Sequence, residues 1–235
     1  MHLQVQPDPH RAAQAAASII AALADEAVAQ RGRFLLAVSG GRSPWEMLRY
    51  LATLPLPWPQ VHIFQVDERQ APQGHADRNL THLSRHLVTE GSLPAQNLHP
   101  LPVDLPDLDQ AARQYAHTLQ EWAGAPPVLD LVHLGLGADG HTASLIPGDP
   151  VLQVQTRDVA ATSAYQSYRR LTLTFPMINR ARSLLWLVTG ADKAEVLARL
   201  LAGDTTLPAG RLRRDTALIL ADQAAASRLP AGAAC

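Results

Sequence analysis

Apolar and polar positions along this chain follow two alternating periods. Over residues 10–30 the apolar residues recur at helical spacing (Ala16, Ile19, Ile20, Leu23, Ala27), which predicts an amphipathic helix ended by Gly32. Residues 34–38 form a short unbroken apolar run, the signature of a buried strand. The pattern then repeats. Residues 45–54 read as a helix with Pro44 in its first turn, residues 55–59 break the chain with three prolines, and residues 61–66 read as a strand. Helical spacing returns over 79–88 and 109–122. A buried strand is expected at 129–136, interrupted only by Asp130 and His133, and another at 171–175 (LTLTF). A short helix over 176–182, a strand over 184–188, a helix over 192–201 and a closing strand over 217–221 complete the chain.

Strand and helix alternate from end to end without a linker or repeat. Such alternation implies α/β architecture: a single doubly wound, mainly parallel sheet with helices on both faces, one domain over 1–235. The chain of 235 residues is long enough to bury a full core, and 47% hydrophobic residues mark a globular composition. Formal net charge is −1 with no Lys/Arg cluster, which argues against a nucleic-acid partner but leaves room for a small anion held by a few local cations. Cys235 is the only cysteine, so disulfides and cysteine-based metal sites within the chain are excluded. No apolar stretch is expected to reach the length of a membrane span, and the N-terminus lacks the basic start and apolar core of a signal peptide. The expectation is a cytoplasmic protein without a membrane partner, a monomer or weak homo-oligomer.

Three strand ends carry polar clusters that would share one edge of a parallel sheet: residues 39–43, 67–69 and 139–142. Ser39-Gly40-Gly41-Arg42-Ser43-Pro44 follows a strand and opens a helix. It reads equally as an anion site, with Gly40 and Gly41 allowing close approach and Arg42 and Ser43 donating, or as a tight turn with Ser43 as helix cap. It matches neither the nucleotide P-loop nor the dinucleotide fingerprint. Asp67-Glu68-Arg69 would be a solvated loop in isolation. Beside the glycine loop, Arg69 can neutralise an anion and Asp67 can orient it or a water.

His141, in Gly-Asp-Gly-His, is the candidate general base, because a neutral imidazole accepts a proton near pH 7. Asp139 is its possible orienting partner. His82 and His86 have metal-pair spacing but no third ligand, so an exposed helical face is expected. His133 reads as a satisfied core residue, and the four tryptophans as packing. Lys193 opposes the dipole at a helix start and fits better as an anion ligand, whereas Arg169 and Arg170 also read as surface.

AVSGGRSP, FQVDER, HADRNLTHL, LGLGADGHTASLIPG, RRLTLTFPMIN and VTGADKAEVL, in this order, resemble the 6-phosphogluconolactonases over roughly residues 34 to 201. The resemblance implies the glucosamine-6-phosphate deaminase-like, Rossmann-like fold and hydrolysis of 6-phospho-D-glucono-1,5-lactone without metal or cofactor. It implies His141 as general base and Arg69 as charge-stabilising partner. The glycine loop, Arg170 and Lys193 then contact substrate and phosphate, Arg170 preferred over Arg169 because it directly precedes the TLT-type strand. Glucosamine-6-phosphate deaminases are similar but follow Asp-Gly-His with Asn-Glu-Pro; here the place reads Leu145-Ile146-Pro147, and isoleucine cannot move a proton. A non-catalytic sugar-phosphate effector domain is the third reading.

Overall fold

The computed structural model describes residues 1–230; Cys235 lies outside them. Ten strands, β1 to β10, fall into two sheets among these residues. Seven are parallel: β1 (His2–Gln6), β2 (Phe34–Val38), β3 (Val61–Gln65), β5 (Leu98–His99), β6 (Leu131–Leu134), β9 (Ser183–Val188) and β10 (Ala217–Asp222). Their spatial order is β1-β10-β9-β6-β2-β3-β5. The other three, β4 (Asp67–Arg69), β7 (Val159–Ala161) and β8 (Arg170–Leu173), form an antiparallel sheet in the order β4-β8-β7.

Strand alternation builds the core in two layers. Phe34, Leu36 and Val38 of β2, with Val61 and Ile63 of β3, face α1 (Pro9–Arg31) and α2 (Arg42–Thr53). Leu35 and Ala37 of β2, with Phe64, Val132, Leu184, Trp186 and Ile219, face the opposite layer. There lie the small sheet, α4 (Leu108–Ala123), α5 (Phe175–Asn179) and α6 (Ala194–Leu201). α3 (Asn79–Leu83) completes the first layer. Asp8 caps α1 by accepting the Arg11 N–H at 2.8 Å, and Gly32 stops it in the left-handed region (φ 75°).

Four expectations are corrected. α1 is, by length and composition, apolar enough to cross a membrane; in this fold Ala12, Ala13, Ala16, Ala17 and Ile20 are instead fully buried against the sheet and α2. LTLTF supplies β8 of the small sheet and not a strand of the main one. The charged triplet 67–69 is a strand, β4, and not a loop. The helix expected over 79–88 keeps α-geometry only to Leu83 and continues as a wider π-type turn over Ser84–Thr89.

Candidate active site

From β2 the chain crosses to β3 on one side, while β6 lies on the other. The loops leaving β2 and β6 therefore part at a topological switch point, where open α/β sheets form ligand crevices. A cavity of about 210 Å³ lies there, lined by Ser39 and Gly40, by Gly135–Gly137 and His141, by Asp67, Arg69 and Arg170 of the small sheet, and by Asn79, Ala143 and Lys193. An adjoining cavity of about 520 Å³ shares Gly40, Gly135, Leu136 and Lys193, and adds Gly41, Arg42, Ser43 and Thr189. The glycine loop is thus split between two chambers. Ser43 is not the cap of α2: Gly41 holds that position (φ 124°) without a side-chain bond, and Ser43 Oγ meets Thr189 Oγ1 at 2.6 Å.

Asp139 Oδ1 accepts two hydrogen bonds from His141, from the backbone N–H at 3.1 Å and from Nδ1 at 2.6 Å. Partial burial pushes the Asp139 carboxyl up, but the hydrogen bonds and the charge of His141 outweigh it and hold it below its usual value. Being ionised, the carboxylate can only accept, so Nδ1 carries the proton and a neutral imidazole keeps its lone pair on Nε2. Gly137 makes this pair possible. A Cβ there would fall 2.1 Å from His141 Nδ1 and 2.7 Å from Asp139 Oδ1. Gly40 does the same for Asn79, whose Oδ1 would lie 1.9 Å from a Cβ. Asn79 Nδ2 in turn donates to the Asp67 carbonyl at 2.9 Å.

The two arginines are brought together by strand register. Arg69 on β4 and Arg170 on β8 are direct cross-strand partners, a like-charge pairing that disfavours the sheet unless an anion is held between them. Arg69 donates to the Asp77 carbonyl at 2.7 Å. Arg170 is 4% exposed, yet it forms no ion pair among the described residues, and its Nε has no partner. Its contacts are long: Nη1 to Ser144 Oγ at 3.4 Å and Nη2 to the Tyr165 carbonyl at 3.5 Å. Burial lowers its pKa, and the Asp67 charge raises it in part. Asp67 accepts from Ser144 Oγ at 2.6 Å. Arg169 lies outside the cleft and is exposed, and its carbonyl accepts from the Gln70 N–H.

Glu68, between the two site residues of β4, is fully buried and accepts from the backbone N–H groups of Arg69, Asn79 and Leu80 and from Gln65 Nε2. It ties β4 to the start of α3. Burial pushes its carboxyl up against those four bonds. Lys193 stands in the turn before α6, paired with Asp192 at 3.0 Å. Ala143 has φ 52°, a strained setting for a side-chain-bearing residue.

Two of the remaining histidines differ from expectation. His86 is buried and paired with Glu90 at 3.1 Å, while His82 stacks on Trp45. His133 is fully buried with neither ring nitrogen bonded, and burial pulls its pKa down to about 4, which keeps the ring neutral. No cluster of potential metal ligands exists among the described residues. Sequence reasoning passed over Asn79, Ala143, Ser144 and Tyr165. Ser144 and Asn79 stood in quoted motifs, GHTASL and DRNLTHL, but nothing in their spacing marked them.

Fold and cleft define an α/β protein whose ligand site is assembled at a switch point between imidazole and guanidinium groups. More narrowly, the chain belongs to the family described as glucosamine-6-phosphate isomerases/6-phosphogluconolactonase, whose model matches residues 7–220. It is 40% identical over 181 residues to a 6-phosphogluconolactonase of Synechocystis sp., a match covering 75% of each chain. The structure of 6-phosphogluconolactonase from Trypanosoma brucei superposes with a TM-score of 0.86 at 25% identity, covering 97% of this chain and 98% of that one. A monomeric glucosamine-6-phosphate deaminase reaches 0.85 at 19% identity over 97% of this chain and 100% of its own, which shows a shared fold alone. Backbone shape therefore does not separate the two activities; side chains must.

Proposed function

We propose that this protein hydrolyses 6-phospho-D-glucono-1,5-lactone to 6-phospho-D-gluconate, with His141 as general base. The observation that carries the reading is the 2.6 Å bond between Asp139 and Nδ1 of His141, which lines a cavity together with Arg69 and Arg170. Nε2 removes a proton from a water as its oxygen attacks the lactone carbonyl carbon. The carbonyl oxygen becomes an oxyanion, whose charge the two guanidinium groups offset. Collapse of the tetrahedral intermediate breaks the bond to the ring oxygen, which takes the proton back from the imidazolium. The products are the free hydroxyl and the carboxylic acid, which then ionises. Asp139 stabilises the transient imidazolium, and Asp67, through Ser144, steadies Arg170.

The phosphate fits the second chamber. α2 begins there without a side-chain cap, so its N–H groups and dipole are open to an anion, with Gly41, Arg42, Ser43 and Lys193 around it. The deaminase reading needs an acid where Ile146 stands, and the buried Ile146 side chain cannot move a proton.

A pH-stat assay on freshly made lactone tests the proposal. Acid release should exceed spontaneous hydrolysis, and His141→Ala should lower the enzymatic rate about 10²–10⁴-fold with the fold intact. Near wild-type turnover in that variant would remove His141 as base. Ammonia release from glucosamine 6-phosphate would instead support a deaminase, and binding without either reaction an effector domain.

A further inference from the structure

A hairpin that leads into the RRLTLTFPMIN motif makes three contacts with residues in and beside the site. Residues 163–169 (SAYQSYR) join β7 to β8, and Tyr165 and Tyr168 face each other across a two-residue turn. Both turn residues, Gln166 (φ 49°) and Ser167 (φ 72°), are left-handed without being glycine. Turns of this kind favour Asn-Gly, so local preference does not explain the conformation. Tertiary contacts hold it instead. Tyr168 Oη donates to Asp77 Oδ2 at 3.0 Å, and the carbonyl of the same Asp77 receives Arg69 Nη1 at 2.7 Å. The Tyr165 ring meets the His141 ring edge to face, centroids 6.0 Å apart, and the Arg170 guanidinium lies over it at 5.2 Å.

Tyr165 therefore contacts both groups the proposed reaction most needs fixed. For Arg170 the contact adds to two long hydrogen bonds, and no carboxylate pairs with it among the described residues. A cation over an aromatic face is attracted most strongly where water is excluded, and Arg170 is buried. The Tyr165 hydroxyl, by contrast, is bonded only to Gln166, at 3.4 Å.

We infer that Tyr165 is a positioning residue, its ring clasping His141 and Arg170 in the geometry the lactone requires. The inference rests on the hydrolytic reading given above, and two measurements keep them apart. Tyr165→Ala should lower kcat/KM about tenfold to a hundredfold, the range expected when reacting groups shift by about 1 Å. It should also weaken binding of 6-phosphogluconate in calorimetry, with the melting temperature unchanged. Tyr165→Phe, which keeps the ring, should restore both. Wild-type kcat/KM in the alanine variant, or a phenylalanine variant as impaired as the alanine one, would overturn the clasp. A crystal structure of Tyr165→Ala supplies a readout independent of turnover. A displaced Arg170 guanidinium is expected; one in its original place would refute the positioning role even if the wild-type protein proved not to be a lactonase. Lack of lactone hydrolysis by the wild type overturns the functional reading alone.

Discussion

Gly137 and Arg170 show from opposite sides how single residues serve the cleft. Gly137 lies where any side chain would strike both members of the Asp139–His141 pair. Its backbone is not left-handed, so alanine is conformationally acceptable there and the substitution tests sterics alone. Gly137→Ala should cut kcat/KM about 10²-fold by displacing the base by about 1 Å, while the melting curve barely moves. Arg170 is a buried cation without an ion-pair partner among the described residues, which costs the native state stability. Arg170→Met should raise stability to chemical denaturation by about 1 kcal/mol or more and depress kcat/KM. A stability loss would mean that the guanidinium is better satisfied than its contacts indicate. At this scale the chemistry-bearing residues were legible, because glycines beside charged groups at strand ends have few other uses. The supporting residues were not. Ser144 and Tyr165 are ordinary residue types, and their importance arises from contacts 77 and 24 positions away in the chain, to Asp67 and His141.

At the scale of elements, apolar runs revealed the buried strands β2, β6, β9 and β10, and a weak alternation revealed β3. β1 escaped notice because it is an edge strand whose HLQVQ buries only Leu3. β4 escaped because its three residues are all charged, and what buries Glu68 is a set of backbone donors that no periodicity encodes. LTLTF has the same pattern whichever sheet it joins. A buried pair on two neighbouring strands has a measurable consequence. His62 on β3 and His99 on β5 meet at 3.1 Å under Trp122 of α4. Burial, with Arg33 for His62 and with His62 for His99, lowers both pKa values, His99 to about 4, and burial alone does so for His133. Unfolded histidines bind protons below about pH 6.5, whereas folded His99 and His133 do not until near pH 4, and folded His62 is shifted in the same direction. The unfolded state therefore holds more protons in that window, and stability must fall as pH drops through it. Urea unfolding between pH 7.5 and 4.5 should show a flat upper region and then a loss approaching about 1.4 kcal/mol per pH unit for each such histidine. Glu68, raised by burial, works in the other direction near the foot of the window. His133→Leu should reduce the slope.

On the scale of the whole molecule, the cleft exists because the chain winds outward from β2 in one direction and later returns to fill the other. One half contributes the glycine loop and β4; the other contributes His141, the arginine on β8 and Lys193. No part of the site is complete within either half. That much of the architecture followed from strand–helix alternation, whereas the small second sheet, which carries both arginines, could be known only from the folded chain. The edge strand adds a matter of timing. His2 pairs with Leu218 and Gln6 with Asp222, so β1 is translated long before β10, its one strand partner among the described residues. At roughly 5–20 residues per second, translation leaves β1 waiting roughly 10–40 s. Throughout that interval its N–H and C=O groups are open to solvent, proteases and chaperones. Chains arrested before residue 217 should be clipped within His2–Gln6 under brief proteolysis, and the finished chain should resist. Equal cleavage of both would mean that β1 finds shelter before its partner is made.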